Sequence, residues 1–136
     1  ALNYLIGSGT VQDWSTHMIG HEITVLHGLD HAQTLAVILP AVLRHRQTAK
    51  RAKLLQYGRR VWHLQSDNEA GIMNEAIEKT EVFFRSVGVM TRLSDYGLTA
   101  ASCEPAAQQL AERLGTIGEQ NDIGADEIRA ILKMAE

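Results

Sequence analysis

At 136 residues the chain is long enough for one domain with its own hydrophobic core. Its composition, 45% apolar and 21% charged with a net charge of -3, is ordinary for a globular protein. It has no basic stripe and no aromatic–basic interleaving, which sets nucleic acid aside as a partner. The single cysteine, Cys103, excludes an internal disulfide and a cysteine-based zinc cage and fits a reducing, cytoplasmic setting. The longest apolar stretch, Leu35 to Leu43, is far too short to span a membrane, so no membrane partner is expected.

The two prolines, the few aromatics and the abundant Ala, Leu and Ile favour helices. The opening "ALNYLI" resembles the last turns of a helix closed by Gly7, without a charged segment or long apolar run that would make it a signal peptide. Starting inside an element, the chain is expected to be preceded by further sequence. Asp13 is a suitable N-cap for a helix through about Leu26, along which Trp14, Met18, Ile19, Ile23 and Leu26 recur at helical spacing. "HGLDH" interrupts it, with Gly28 as a left-handed closing residue and Asp30 as the next cap. "AQTLAVILPAVL" is then apolar nearly all round, and Pro40 is expected to kink or end it.

Residues 47–64 are amphipathic, with Leu54, Leu55, Val61, Trp62 and Leu64 expected inside and the Lys and Arg between Lys50 and Arg60 mostly solvated. Asp67 is the expected cap of the following helix. That helix carries Ile72, Met73, Ala76, Ile77, Thr80, Phe83, Phe84 and Val87 as one inward stripe and closes at Gly88. "TRLSDYGL" suggests a short helical turn, and Ser102 a cap for a helix with Pro105 in its first turn. "ADEIRAILKMA" completes an all-α array of about six or seven helices, with no strand alternation and no internal repeat. Cys103 has no basic neighbour in sequence and is expected to be a half-buried, inert thiol.

Four of the six histidines lie in one short stretch: His17, His21, His27 and His31. His17 and His21, four apart on a helix, share a face. A turn at Gly28 would bring His31, at the next helix start, back towards His17. The helix dipole there disfavours imidazolium, leaving His31 neutral and able to bind a metal. Zinc or iron suits neutral imidazoles, but two of them make an incomplete site. By spacing alone, a metal site and a set of polar helix ends with one core histidine both remain open.

The stretch "HMIGHEITVLHGLDHAQTLAVILP" resembles the second signature of the iron-containing (group III) alcohol dehydrogenases. "KRAKLLQYGRRVW" and "TRLSDYGL" are similar to the NADP-dependent aldehyde-reductase and butanol-dehydrogenase branch. The resemblance implies the C-terminal helical domain of a dehydroquinate-synthase-like enzyme, whose N-terminal α/β domain binds NADP or NAD. It further implies metal ligands at His17 and His31, completed by an Asp and a His from upstream. His21 would be the catalytic cleft residue, moving a proton or orienting the substrate oxygen. Asp30 and Ala32 replace the Pro and Gly common around the third signature histidine. His27 matches no ligand and is expected to be a loop or cleft-wall residue, with His45 and His63 at the surface or at helix ends.

No Gly-rich phosphate turn occurs, "GSG" at 7–9 being a lone fragment, and no Asp-x-x-x-His pair completes a metal site. The resemblance places both before residue 1, and so implies that residues 1–136 are a partial C-terminal domain, with the cofactor-binding domain outside the chain. The implied activity is interconversion of short-chain aldehydes and primary alcohols, with Fe or Zn as metal and no activity from these residues alone. Two other readings stand beside it. One is a stand-alone helical interaction module of the same fold; the other is a self-contained metal site made by His17, His21 and His31. Apolar surface left where missing helices would pack implies a homo-oligomer.

Overall fold

The computed structural model describes Leu5 and residues 7–136. Helices α1 (Ser15–His27), α2 (His31–His45), α3 (Arg51–Arg60), α4 (Glu69–Ser86), α5 (Glu104–Leu114) and α6 (Ala125–Met134) are joined by short loops, with one 3-10 turn at Ser94–Tyr96. The extended structure among the described residues is a single antiparallel bridge between Ile117 and Ile123. The expected all-α array is what forms. The helical opening foreseen for "ALNYLI" falls mostly on residues 1–4 and 6, outside the described residues.

Helix α2 is the centre of the domain, packing against α1, α4 and α6. It buries Ala36, and its Val37, Ile38, Ala41 and Val42 share one core with Ile19 and Ile23 of α1, Leu110 of α5, and Ile128, Ile131 and Leu132 of α6. A smaller cluster of Leu54, Leu55, Ile72, Met73 and Ile77 joins α3 to α4. There Gly58 permits a close crossing, since a Cβ on it would lie 2.6 Å from Ile72 Cγ2.

The turn between α1 and α2 follows the sequence closely. Gly28 closes α1 at φ +73° and donates its N–H to Thr24 at 2.8 Å. Asp30 precedes α2, and the Gln33 side chain accepts the Asp30 N–H at 3.0 Å in a capping box. Gly88 follows α4 with a positive φ of 83°.

Other boundaries differ from expectation. Trp14, not Asp13, is the residue before α1, although the Asp13 carboxylate takes up the Ser15 N–H at 2.8 Å. Asn68 replaces Asp67 as cap of α4, accepting from Gly71 N–H at 3.1 Å. Cys103 occupies the cap position of α5, because the Ser102 hydroxyl turns back to the Thr99 carbonyl at 2.8 Å. Pro40 neither ends nor marks the edge of α2, which runs on to His45. Buried apolar packing at Ala41 and Val42 holds the helix past the missing donor. Helix α3 stops at Arg60, so Val61 is exposed and Trp62 and Leu64 only partly covered. The inward stripe of α4 ends at Thr80 and Glu81; Phe83 and Val87 are 52% and 59% exposed and Phe84 is half-covered. Cys103 is fully buried, deeper than expected, and burial pushes its thiol pKa up, as suits an inert group.

Candidate metal and substrate site

The turn through Gly28 brings three of the four histidines together. Ring centroids of His17 and His31 are 5.2 Å apart, those of His21 and His31 4.7 Å, and those of His17 and His21 6.2 Å. One helical turn separates His17 from His21, and the α1–α2 contact brings His31 to both. That contact is close because Gly20 has no side chain; a Cβ there would stand 3.0 Å from Thr34 Oγ1. His21 and His31 are exposed and His17 half-buried, so the cluster opens outward. Burial first, and then the neighbouring His31 and His21, hold the His17 pKa below its usual 6.5. Neutral imidazole is the form that binds a metal.

The ring planes are tilted to one another by 55–77°, and among the described residues no group of three or more His, Cys, Asp or Glu side chains could hold a metal ion. The arrangement thus speaks against a self-contained site of His17, His21 and His31.

His27 stands apart from the cluster. Its Nε2 lies 3.0 Å from the Ser102 carbonyl oxygen and ties the end of α1 to the turn before α5. His45 ends α2 and His63 is an exposed loop residue at φ 54°, both as expected.

Spacing alone missed the surroundings of His17. The Trp14 ring meets it edge-on at 5.3 Å, and Trp14 is 40% exposed although its helical spacing suggested the inner face. Beside His17 opens a largely apolar cavity of about 550 Å³, lined by Asp13, Leu35, Leu39, Phe83, Phe84, Val87 and Val89 among others. The far end of α4, expected in the core, supplies one wall of it. The i, i+3 relation of Trp14 to His17 was the available signal for the aromatic contact. Nothing local marked Phe83 as a neighbour of His17.

Asp13 anchors the start of α1. Its Oδ1 accepts from Ser15 N–H at 2.8 Å and from the Ser15 hydroxyl at 2.5 Å, while Oδ2 pairs with Lys50 Nζ at 2.7 Å. Burial alone would raise the Asp13 pKa, but Lys50 and Ser15 outweigh it and hold the carboxyl below its usual 3.8. Burial opposes the Lys50 charge too, yet Asp13 and Glu119 raise its pKa above 10.5. Lys50, assigned from its sequence to a solvated face, is instead half-buried between two carboxylates.

The pattern that defines the Fe-containing alcohol dehydrogenase family, C-terminal, matches residues 5–136. The chain belongs to this family. It is 48% identical over 136 residues to the NADPH-dependent aldehyde reductase YqhD of Escherichia coli, covering 99% of this chain and 35% of that protein. It is 29% identical to the NADH-dependent butanol dehydrogenase A of Clostridium acetobutylicum, covering 98% of this chain and 35% of that one. The crystal structure of E. coli YqhD superposes with a TM-score of 0.95 over 99% of this chain and 35% of its own. An NADH-dependent butanol dehydrogenase A from Thermotoga maritima shares the fold, with a TM-score of 0.81 at 21% identity over 90% of this chain and 33% of that one. The chain thus spans about a third of the length of these relatives. The names of these relatives describe NADPH- or NADH-dependent enzymes of aldehydes and alcohols. Among the described residues, no helix is long and apolar enough to cross a membrane.

Proposed function

We propose that these residues form the metal-binding helical part of an NAD(P)-dependent, metal-dependent alcohol dehydrogenase working mainly as an aldehyde reductase on short-chain substrates. The observation that carries this reading is the meeting of His17, His21 and His31 at an open face, on a chain whose family match covers residues 5–136. His17 and His31 would hold the metal, Fe or Zn. An Asp and a His outside these residues would complete the ligand set, and a separate N-terminal α/β domain would bind NADP or NAD. The half-buried His17, held neutral, fits the donor role. When bound, the metal polarises the carbonyl and the nicotinamide carries the hydride.

The chain's own residues would do the rest. His21, exposed and 4.7 Å from the His31 ring, would hold or pass a proton at its imidazole nitrogen, or orient the substrate oxygen. The apolar cavity beside His17 would take the hydrocarbon part of the substrate and keep water from it. Asp13 and Lys50 would hold the entry of α1.

In the full-length enzyme carrying this segment, His17→Ala and His31→Ala should each abolish metal-dependent oxidation of NADPH by a short aldehyde. His21→Ala should lower kcat and leave the bound metal in place. Undiminished activity in either ligand variant overturns the assignment. A cytoplasmic location and a homo-oligomer accompany the proposal. Exposed Val82, Phe83 and Val87 support self-association, and a monodisperse monomer in sedimentation velocity would contradict it.

A further inference from the structure

The ammonium of Lys50 joins three segments remote in sequence. It pairs with Asp13 Oδ2 at 2.7 Å, just before α1, and with Glu119 Oε1 at 3.1 Å, in the loop between α5 and α6. Lys50 itself lies in the turn after α2. The Lys50 and Asp13 side chains are only 14% and 16% exposed, unlike the next-door pair Arg51–Glu69 at 56% and 36%. Water therefore competes little for the Lys50–Asp13 pair, and it has a defined geometry that an exposed pair lacks.

The other Asp13 oxygen holds the Ser15 N–H and hydroxyl, and so fixes the first turn of α1. His17 stands in that turn. The middle of α1 is held separately at Gly20 on Thr34, and its end by the Gly28 turn and the His27 contact. The start of α1, where Ser15 is fully buried, is thus tied to the α2–α3 turn and the α5–α6 loop through the Asp13 carboxylate and the Lys50 ammonium.

We infer that Lys50 is a positioning residue, which sets where His17 stands relative to His31 by tying Asp13 to the α2–α3 turn and the α5–α6 loop. The inference rests on the reading of His17 and His31 as a working pair, but its test needs neither metal nor activity. A displacement of about 1 Å is the scale at which misplacement becomes costly at a functional site. At a 5.2 Å ring separation it lowers an r⁻⁶ cross-relaxation by roughly threefold.

The experiment measures ring-proton NOEs between His17 and His31 in chelator-treated protein, with the His21–His31 NOE as internal reference. The variants are Lys50→Met, Lys50→Arg, Asp13→Asn and the control Arg51→Met, each checked by circular dichroism. Lys50→Met and Asp13→Asn should lower the His17–His31 NOE about threefold against the reference. Lys50→Arg should largely restore it, and Arg51→Met should leave it unchanged. If Lys50→Met does not fold, Asp13→Asn decides, since it keeps the Lys50–Glu119 pair. An unchanged NOE in the folded variants, or an equal loss in Arg51→Met, overturns the inference. A failure of the proposed metal site would appear separately, as absent metal binding with the NOEs intact.

Discussion

The imidazoles of His17 and His31 stand 5.2 Å apart on two helices that touch through Gly20 and Thr34. A larger residue at position 20 has to push α1 away from α2, because the space is already taken by Thr34 and Leu35. Gly20→Val is expected to cost about 1–3 kcal/mol by overpacking. It should also weaken the His17–His31 NOE. Urea unfolding and the same ring NOEs check both effects. Unchanged stability with an unchanged NOE would show that the helix contact is not what sets the pair.

The second helix crossing offers a purely structural test. Alanine at position 58 gains about 1 kcal/mol of helix propensity over glycine. Its Cβ, however, would stand 2.6 Å from Ile72 Cγ2, on a side chain that is 1% exposed and has nowhere to move. Overpacking costs about 1–3 kcal/mol, so Gly58→Ala should give a net loss of roughly 0–2 kcal/mol. A stabilised variant in urea unfolding would mean that α3 shifts freely on α4.

Glu81 has its side chain 10% exposed and meets two guanidiniums, Arg44 through Nη1 at 3.1 Å and Arg92 at 3.0 Å. Both arginines are partly solvated, which moderates the energy. Glu81→Ala is expected to destabilise by about 1.5–3 kcal/mol, the range for charged hydrogen bonds. Arg44→Met should cost less, because Arg92 still answers the carboxylate. Equal losses in chemical denaturation would contradict this order.

Two groups should give the stability its pH dependence at the site. Burial, reinforced by His31 and His21, lowers the His17 pKa, so between its folded value and 6.5 the unfolded chain binds the extra proton. Stability should therefore fall as pH drops from 6.5 through that lower value. The Asp13 pKa is lowered as well, since Lys50 and Ser15 outweigh burial. Its contribution is present above 3.8 and is lost as pH falls through the folded value beneath it. Thermal melting against pH should show the first step vanish in His17→Gln and the second in Asp13→Asn.

Cobalt serves as a spectroscopic stand-in for the metal. In the full-length enzyme, His17→Ala and His31→Ala should weaken Co²⁺ binding by more than the roughly 10–100-fold that loss of an outer-shell partner costs. His27→Ala should leave Co²⁺ binding unchanged, because its ring bonds to the Ser102 carbonyl and not to the cluster. Visible absorption of bound cobalt reports both. An equal loss in His27→Ala would discard the division of the four histidines drawn from the structure.

The residues alone determined what depends on near neighbours along the chain. Helical spacing foretold about six or seven helices, of which six form among the described residues, Gly28 the left-handed turn, and Asp30 the start of α2, since caps and turns act within a few residues. The same turn made the meeting of His17 with His31 foreseeable, and the signature stretch carried the family. Only the tertiary structure decided what lies opposite each side chain. Phe83 continues the apolar stripe of α4 in sequence, yet the core runs out before it and its ring lines the cavity beside His17. Lys50 belongs by pattern to a wet basic run, yet two carboxylates from distant loops close around it. Pro40 was expected to kink or end its helix, which nevertheless runs on to His45 because packing of the surrounding residues outweighs one missing hydrogen bond. Helical periodicity tells which way a residue faces on its own helix; burial and charge pairing depend on the element that happens to stand across from it.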